Sequence, residues 1–342
     1  MLNIFLAATL FTGCDKNNGN EPEICTTETV GIEDIAFENY PTVDCSTSAR
    51  AVSVAAACKL LGIDYYWREP IAFEWTMEPV AGAVPDEYSD FFSTRLLFSK
   101  THGAFENLIN GVADIIITHR TISPDEQTLA DEKGVSLIEK SIALDAFVFV
   151  VNKNNPVKSL TVSQIQGIYT GEITNWAEVG GNNAAIKVFT RPRNSGSEEI
   201  FRTLVMGDLE PAEFPESDIG SMIQVFNEVI DNEDGICYTF NNYKNMVARN
   251  PTDVVPVIAV NGISPTEQNV ENRSFPFIAE VHVAIRSDLN HNTFAYKVFE
   301  WLQTKNANTV LTDCGFIPLN KIETAERFGV DAGNSPYGGA VE

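Results

Sequence analysis

Basic residues are scarce in this chain. Lys and Arg number 23 against 47 Asp and Glu in 342 residues, a formal net charge of −24. Nucleic acid is thereby excluded as a partner, because no basic stripe is available to meet a phosphate backbone. Histidine is rarer still, with four in the chain. No G-x-S-x-G and no cluster of metal-ligand residues accompanies them, so neither a serine hydrolase nor a metalloenzyme is indicated, and no cofactor or metal is expected. The six cysteines (Cys14, Cys25, Cys45, Cys58, Cys237 and Cys314) include no C-x-x-C. This removes zinc-ribbon and thiol-redox readings and leaves buried thiols as the expectation. There is no internal repeat, and no apolar run is long enough to span a bilayer.

What is present suits a globular protein: 44% hydrophobic and 20% charged residues, with length enough for two lobes. Residues 4–11 form a short apolar run ending at Leu10-Phe11-Thr12-Gly13-Cys14. The run resembles a bacterial lipobox, in which the thiol of Cys14 receives lipid and becomes the mature N-terminus. Phe11 stands where an aliphatic residue is usual, and Met1-Leu2-Asn3 carries no positive charge. Residues 15–23 are polar and read as a tether. An exported protein, anchored to a bacterial cell-envelope membrane, is the expectation.

Helical and strand patterns alternate along the chain, which makes the fold class α/β. Val54, Cys58 and Leu61 fall at helical spacing before Gly62, and Phe105, Leu108 and Ile109 do so before Gly111. Ile115-Ile116-Ile117 reads as a buried strand. Residues 146–151 are a second apolar strand, suited to carry the chain from one lobe to the other. The Val/Ile-rich stretch 251–260 is expected to carry it back. Ser123 with Glu126, and Thr161 with Gln164, have the spacing of capping boxes.

The most telling stretch is Arg191-Pro192-Arg193-Asn194-Ser195-Gly196-Ser197-Glu198-Glu199-Ile200-Phe201. Ser195 and Glu198 fit a capping box, so free backbone N–H groups, two hydroxyls and an Arg meet at one helix start. Such a start can hold an anion. Two further starts repeat the pattern: Asp44-Cys45-Ser46-Thr47-Ser48 and Ser99-Lys100-Thr101-His102-Gly103. If the three converge, they surround a tetrahedral oxyanion with neutral donors and one cation. Thr118-His119 follows the Ile115-Ile116-Ile117 strand, at the end where open α/β sheets place their ligands.

Together these residues resemble the phosphate-binding components of bacterial ABC phosphate transporters, within the two-lobed periplasmic binding proteins. The resemblance runs from about Tyr40 to Leu319. It rests on the ordered set Tyr40-Pro41-Thr42-Val43-Asp44, Ala113-Asp114-Ile115, Asp145-Ala146-Phe147, Ile168-Tyr169-Thr170-Gly171-Glu172, the stretch at Arg191, Gly235-Ile236-Cys237-Tyr238 and Cys314-Gly315-Phe316-Ile317-Pro318. It implies two lobes, each a mixed sheet flanked by helices, with a ligand cleft between them. Residues 25–145 with 251–325 would form the first lobe, 146–250 the second, 1–24 the leader and tether, and 326–342 a loose tail. It further implies a monomeric binder, not an enzyme, that passes inorganic phosphate to an ABC permease. The ligand contacts carried over are Thr47, Ser48, Thr101, Thr118, His119, Arg191, Ser195, Gly196 and Ser197. Two departures stand out. Cys45 occupies a position that is usually glycine, and His119 one that is an aspartate in well-known phosphate binders. The departures keep sulfate or molybdate open as ligand, and a surface sensor or adhesin of the same fold open as role.

Overall fold

The computed structural model describes residues 24–25, 31–71, 74–214, 219–249 and 254–320. Cys14, the tether and the 326–342 tail lie outside the described residues. Among those described, no helix is long and apolar enough to cross a membrane.

Seven strands form the frame. In chain order they are β1 (Val43–Cys45), β2 (Ile115–Thr118), β3 (Leu137–Val151), β4 (Lys187–Val188), β5 (Gly235–Phe240), β6 (Ile278–Arg286) and β7 (Ile317–Pro318). Their order is β1-β2-β6-β3-β5-β4, with β7 also on β3. The sheet is mixed: β1 runs parallel to β2 and β4 to β5, while the other pairings are antiparallel. The long β3 is the shared member. Its first part, Leu137 to Ala146, pairs with β6, and Phe147 to Val151 pairs with β5. From Ile142 to Val151 every residue of β3 is buried, as its apolar sequence requires.

Two apolar cores lie on either side of this crossing. One gathers Tyr40, Val52, Ile115, Ile117, Val283 and Trp301. The other gathers Phe147, Phe149, Ile165, Trp176, Phe201 and Tyr238. The fold is two-lobed.

The return crossing differs from the sequence expectation. Val255, Ile258 and Val260 pack into the second core, together with Phe275, Phe277 and Ala279. Ala259–Val260 pairs in parallel with Ser159–Leu160. Residues 254–277 therefore stay with the second core, and β6 makes the return. The reason is packing: an apolar run of that length serves equally as a crossing strand or as a loop pinned to a core, and its described part pairs only briefly, at Val257 with Val150 and at Ala259–Val260 with Ser159–Leu160.

Local signals fared better. The helix α1 (Arg50–Leu61) ends with Gly62 in the left-handed region at φ 69. Both Ser123–Glu126 and Thr161–Gln164 form reciprocal capping boxes. Cys45, Cys58, Cys237 and Cys314 are free and buried.

Candidate functional site

All three hydroxyl-tipped starts open on one cavity of about 420 Å³ between the cores. Thr47, Ser48, Thr101, His119, Arg191, Ser195, Gly196 and Ser197 line it. Thr47 and Ser48 sit in a single helical turn leading into α1. Thr101 is in the first turn of α2 (Lys100–Ile109). Gly196 opens α3 (Gly196–Ile200), whose helix continues as a π-helical stretch from Phe201 to Met206.

Asp44 holds the first two starts in register. This buried carboxylate accepts the backbone N–H of Ser99 at 2.9 Å and the amide of Asn107 at 2.7 Å. It fixes the chain before Ser46 against the start of α2. Neither Ser46 nor Ser99 spends its hydroxyl on capping its own helix. Among the described residues, the Thr47 and Thr101 hydroxyls make no hydrogen bond, so both remain available toward the cavity. At the third start, Ser195 Oγ does accept the N–H of Glu198, at 3.2 Å. The expected box is only half formed there, because the Glu198 side chain is engaged elsewhere. It accepts the Tyr238 hydroxyl and Arg202 Nε.

That detour positions Arg191. Tyr238 Oη, anchored on Glu198, accepts the Arg191 backbone N–H at 2.9 Å. Burial and the Glu198 carboxylate push the Tyr238 phenol far above its ordinary range, so it keeps its proton. The Arg191 guanidinium donates to the carbonyl of Ile219 and leaves a buried Nε without a hydrogen bond. Among the described residues Arg191 forms no ion pair. Burial lowers its pKa and outweighs the more distant Glu198 carboxylate, which is engaged by Tyr238 and Arg202. An anion in the cavity would meet this unspent charge.

The cleft walls approach closely. A methyl group built at Gly196 would press on Thr101 Oγ1 and crowd its Cβ at 3.2 Å, so glycine lets the two starts approach without displacing the Thr101 side chain. Lys100, at φ 62, holds a left-handed conformation that side chains seldom adopt, at the rim of the same cavity.

One expectation needs correction. Thr118 does not line the cavity. Its buried hydroxyl donates to the Arg120 carbonyl at 2.7 Å, because it points back into the chain turn rather than toward the cleft. Cys45 does not face the cleft either. Its thiol lies near the Leu97 carbonyl and the Ser53 hydroxyl, and burial pushes it up to about 12. His119 does reach the cavity, with its ring against Phe240 and Phe316, centroids 4.3 and 5.3 Å away. Its Nδ1 is 2.7 Å from Ser48 Oγ and its Nε2 is 3.5 Å from Asp145 Oδ2.

Sequence reasoning assigned no role to Asp44, Lys100, Asp145 or Tyr238. Lys100 was legible in Ser99-Lys100-Thr101 as a cation at a helix start. The other three act through contacts distant in sequence.

A model of the PBP superfamily domain, the domain of periplasmic binding proteins, matches residues 75–306, more than half of the chain. The chain belongs to the PBP superfamily. This PBP is 29% identical over 297 residues to Protein SphX of Synechococcus elongatus, covering 78% of this chain and 85% of that protein. It is 24% identical over 204 residues to the phosphate-binding protein PstS of Bacillus subtilis, covering 58% of this chain and 65% of that one. Its fold is similar to that of an ABC-type phosphate transport receptor from Vibrio cholerae, with a TM-score of 0.57 and 23% identity over 81% of this PBP and 99% of that chain.

Proposed function

We propose that this PBP is an extracytoplasmic lipoprotein that captures inorganic phosphate in the cleft and delivers it to an ABC permease. The observation that carries the reading is Arg191: a guanidinium with no ion-pair partner among the described residues, facing a cavity on which three hydroxyl-bearing helix starts converge. Neutral donors around one cation bind a tetrahedral oxyanion without a large penalty for burying several charges. The names of SphX and PstS relatives agree with that ligand class. Its contacts would be Thr47, Ser48, Thr101, His119, Arg191, Ser195, Gly196 and Ser197.

In this reading the protein binds and releases without turnover, as a monomer held to the membrane through lipid on Cys14. Its lobes close about the strands β3 and β6, which run between the two cores. Among the described residues, the first lobe comprises those from 31 to 145 and from about 280 to 320, and the second those from 146 to 279. Equilibrium dialysis against labelled phosphate tests the ligand. Retention of a single phosphate per chain, displaced by unlabelled phosphate, is expected; no retention at millimolar phosphate rejects the reading. His119, which offers no carboxylate to a ligand proton, favours one competing view, a binder of sulfate. Competition between the two anions separates them.

A further inference from the structure

We propose that Asp145, His119 and Ser48 form a polar relay that turns Ser48 into an acceptor toward the cleft. The site then selects a tetrahedral oxyanion that carries a proton, hydrogen phosphate, over one that carries none, such as sulfate. The inference rests on the oxyanion reading of the cleft given above.

The relay starts at Asp145, which is buried beneath His119. Its Oδ1 accepts the backbone N–H groups of Ala146 at 2.7 Å and Asn242 at 3.1 Å. The other oxygen, Oδ2, lies 3.5 Å from His119 Nε2. That nitrogen is buried and makes no hydrogen bond among the described residues. A carboxylate only accepts, so it repels a ring lone pair and attracts a ring N–H. The neutral imidazole therefore carries its proton on Nε2, 3.5 Å from the Asp145 carboxylate that attracts it. Nδ1 is then a lone pair, and Ser48 Oγ at 2.7 Å must be the donor.

A hydroxyl has one proton. With that proton committed to His119, Ser48 presents lone pairs to the cavity. Thr47, Thr101, Ser195 and Ser197 have hydroxyls that can rotate to donate, and Arg191 only donates. The cavity thus has many donors, with Ser48 as the acceptor that the relay fixes; the Glu106 carboxylate, also on the wall, lies 3.7 Å from His102 Nε2. A P–OH group satisfies that acceptor. A sulfate oxygen placed there sets lone pair against lone pair, and such a mismatch costs about tenfold to a hundredfold in affinity.

The test is titration calorimetry with phosphate and with sulfate on wild type, Ser48→Ala, His119→Phe and the double variant. Wild type should prefer phosphate over sulfate by about a hundredfold, and each single variant should cut that ratio by about tenfold or more. The double variant should cut it little further, since both changes break one relay. An unchanged ratio in Ser48→Ala that still binds phosphate overturns the relay, as does a double variant whose loss is the sum of the two single losses. Wild type that takes up neither anion rejects the oxyanion reading beneath it.

Discussion

Two arginines inside this protein have opposite circumstances. Arg120 is buried and meets Glu126 through two parallel hydrogen bonds of 2.7 Å, with its guanidinium stacked over Phe105. Arg191 is partly buried and donates to one backbone carbonyl, with no carboxylate of its own. The first is neutralised within the fold and turned away from the cavity. The second lines the cavity with charge to spare. A buried cation is thus weak evidence for a binding site until its compensation is traced. Where the fold supplies the anion, the arginine is part of the architecture; where it does not, the ligand has a reason to bind.

The contrast predicts opposite mutational phenotypes, beginning with the largest effect. Arg120→Ala strands the Glu126 carboxylate and should cost about 3–5 kcal/mol of stability in urea unfolding. Arg191→Ala strands no carboxylate, so its unfolding midpoint should stay close to wild type. Its phosphate affinity should instead fall more than tenfold, from loss of a charge-assisted contact in a closed site. Comparable stability losses in the two variants would erase the distinction. Gly196→Ala puts a methyl group against Thr101 across the cleft and should weaken phosphate by about tenfold through incomplete closure, with little change in stability. Undiminished affinity there would mean that the two walls do not need to meet.

The smallest effect concerns pH. Burial alone would raise the Glu126 pKa, but the Arg120 hydrogen bonds and charge, the Ser123 N–H and His102 outweigh it and hold it below the usual carboxylate range. A depressed value means that the unfolded chain binds the proton first. The stability that this pair contributes is complete above about pH 4.3 and is lost as pH falls through the folded value. Urea melts of wild type should show that acid loss, and Glu126→Gln should flatten it. Arg191, lacking a carboxylate, should leave the slope intact when replaced by Ala.

Much of this organisation was legible in the sequence because it is local. Capping at Ser123 and Thr161, the stop at Gly62 and the buried Ile115-Ile116-Ile117 strand depend on neighbours a few residues away. The three helix starts could be recognised singly, while their meeting could not, because Asp44 and Gly196 bring them together through contacts across the chain. Thr118 and His119 illustrate the limit. They are adjacent residues with similar polar credentials, and strand geometry sends neighbours to opposite faces, so one reaches the cavity and the other turns inward. The run 251–260 shows the same limit for an apolar segment: its burial was predictable, and the core that receives it was not. Arg120 and Arg191 are equally cationic in sequence, and only the contact with Glu126 separates them.

Titration of phosphate into the ligand-free wild-type protein by calorimetry tests the central claim most directly. The account predicts saturable heat with a single phosphate per chain well below millimolar concentration. A folded, ligand-free protein that gives no heat at millimolar phosphate would contradict it.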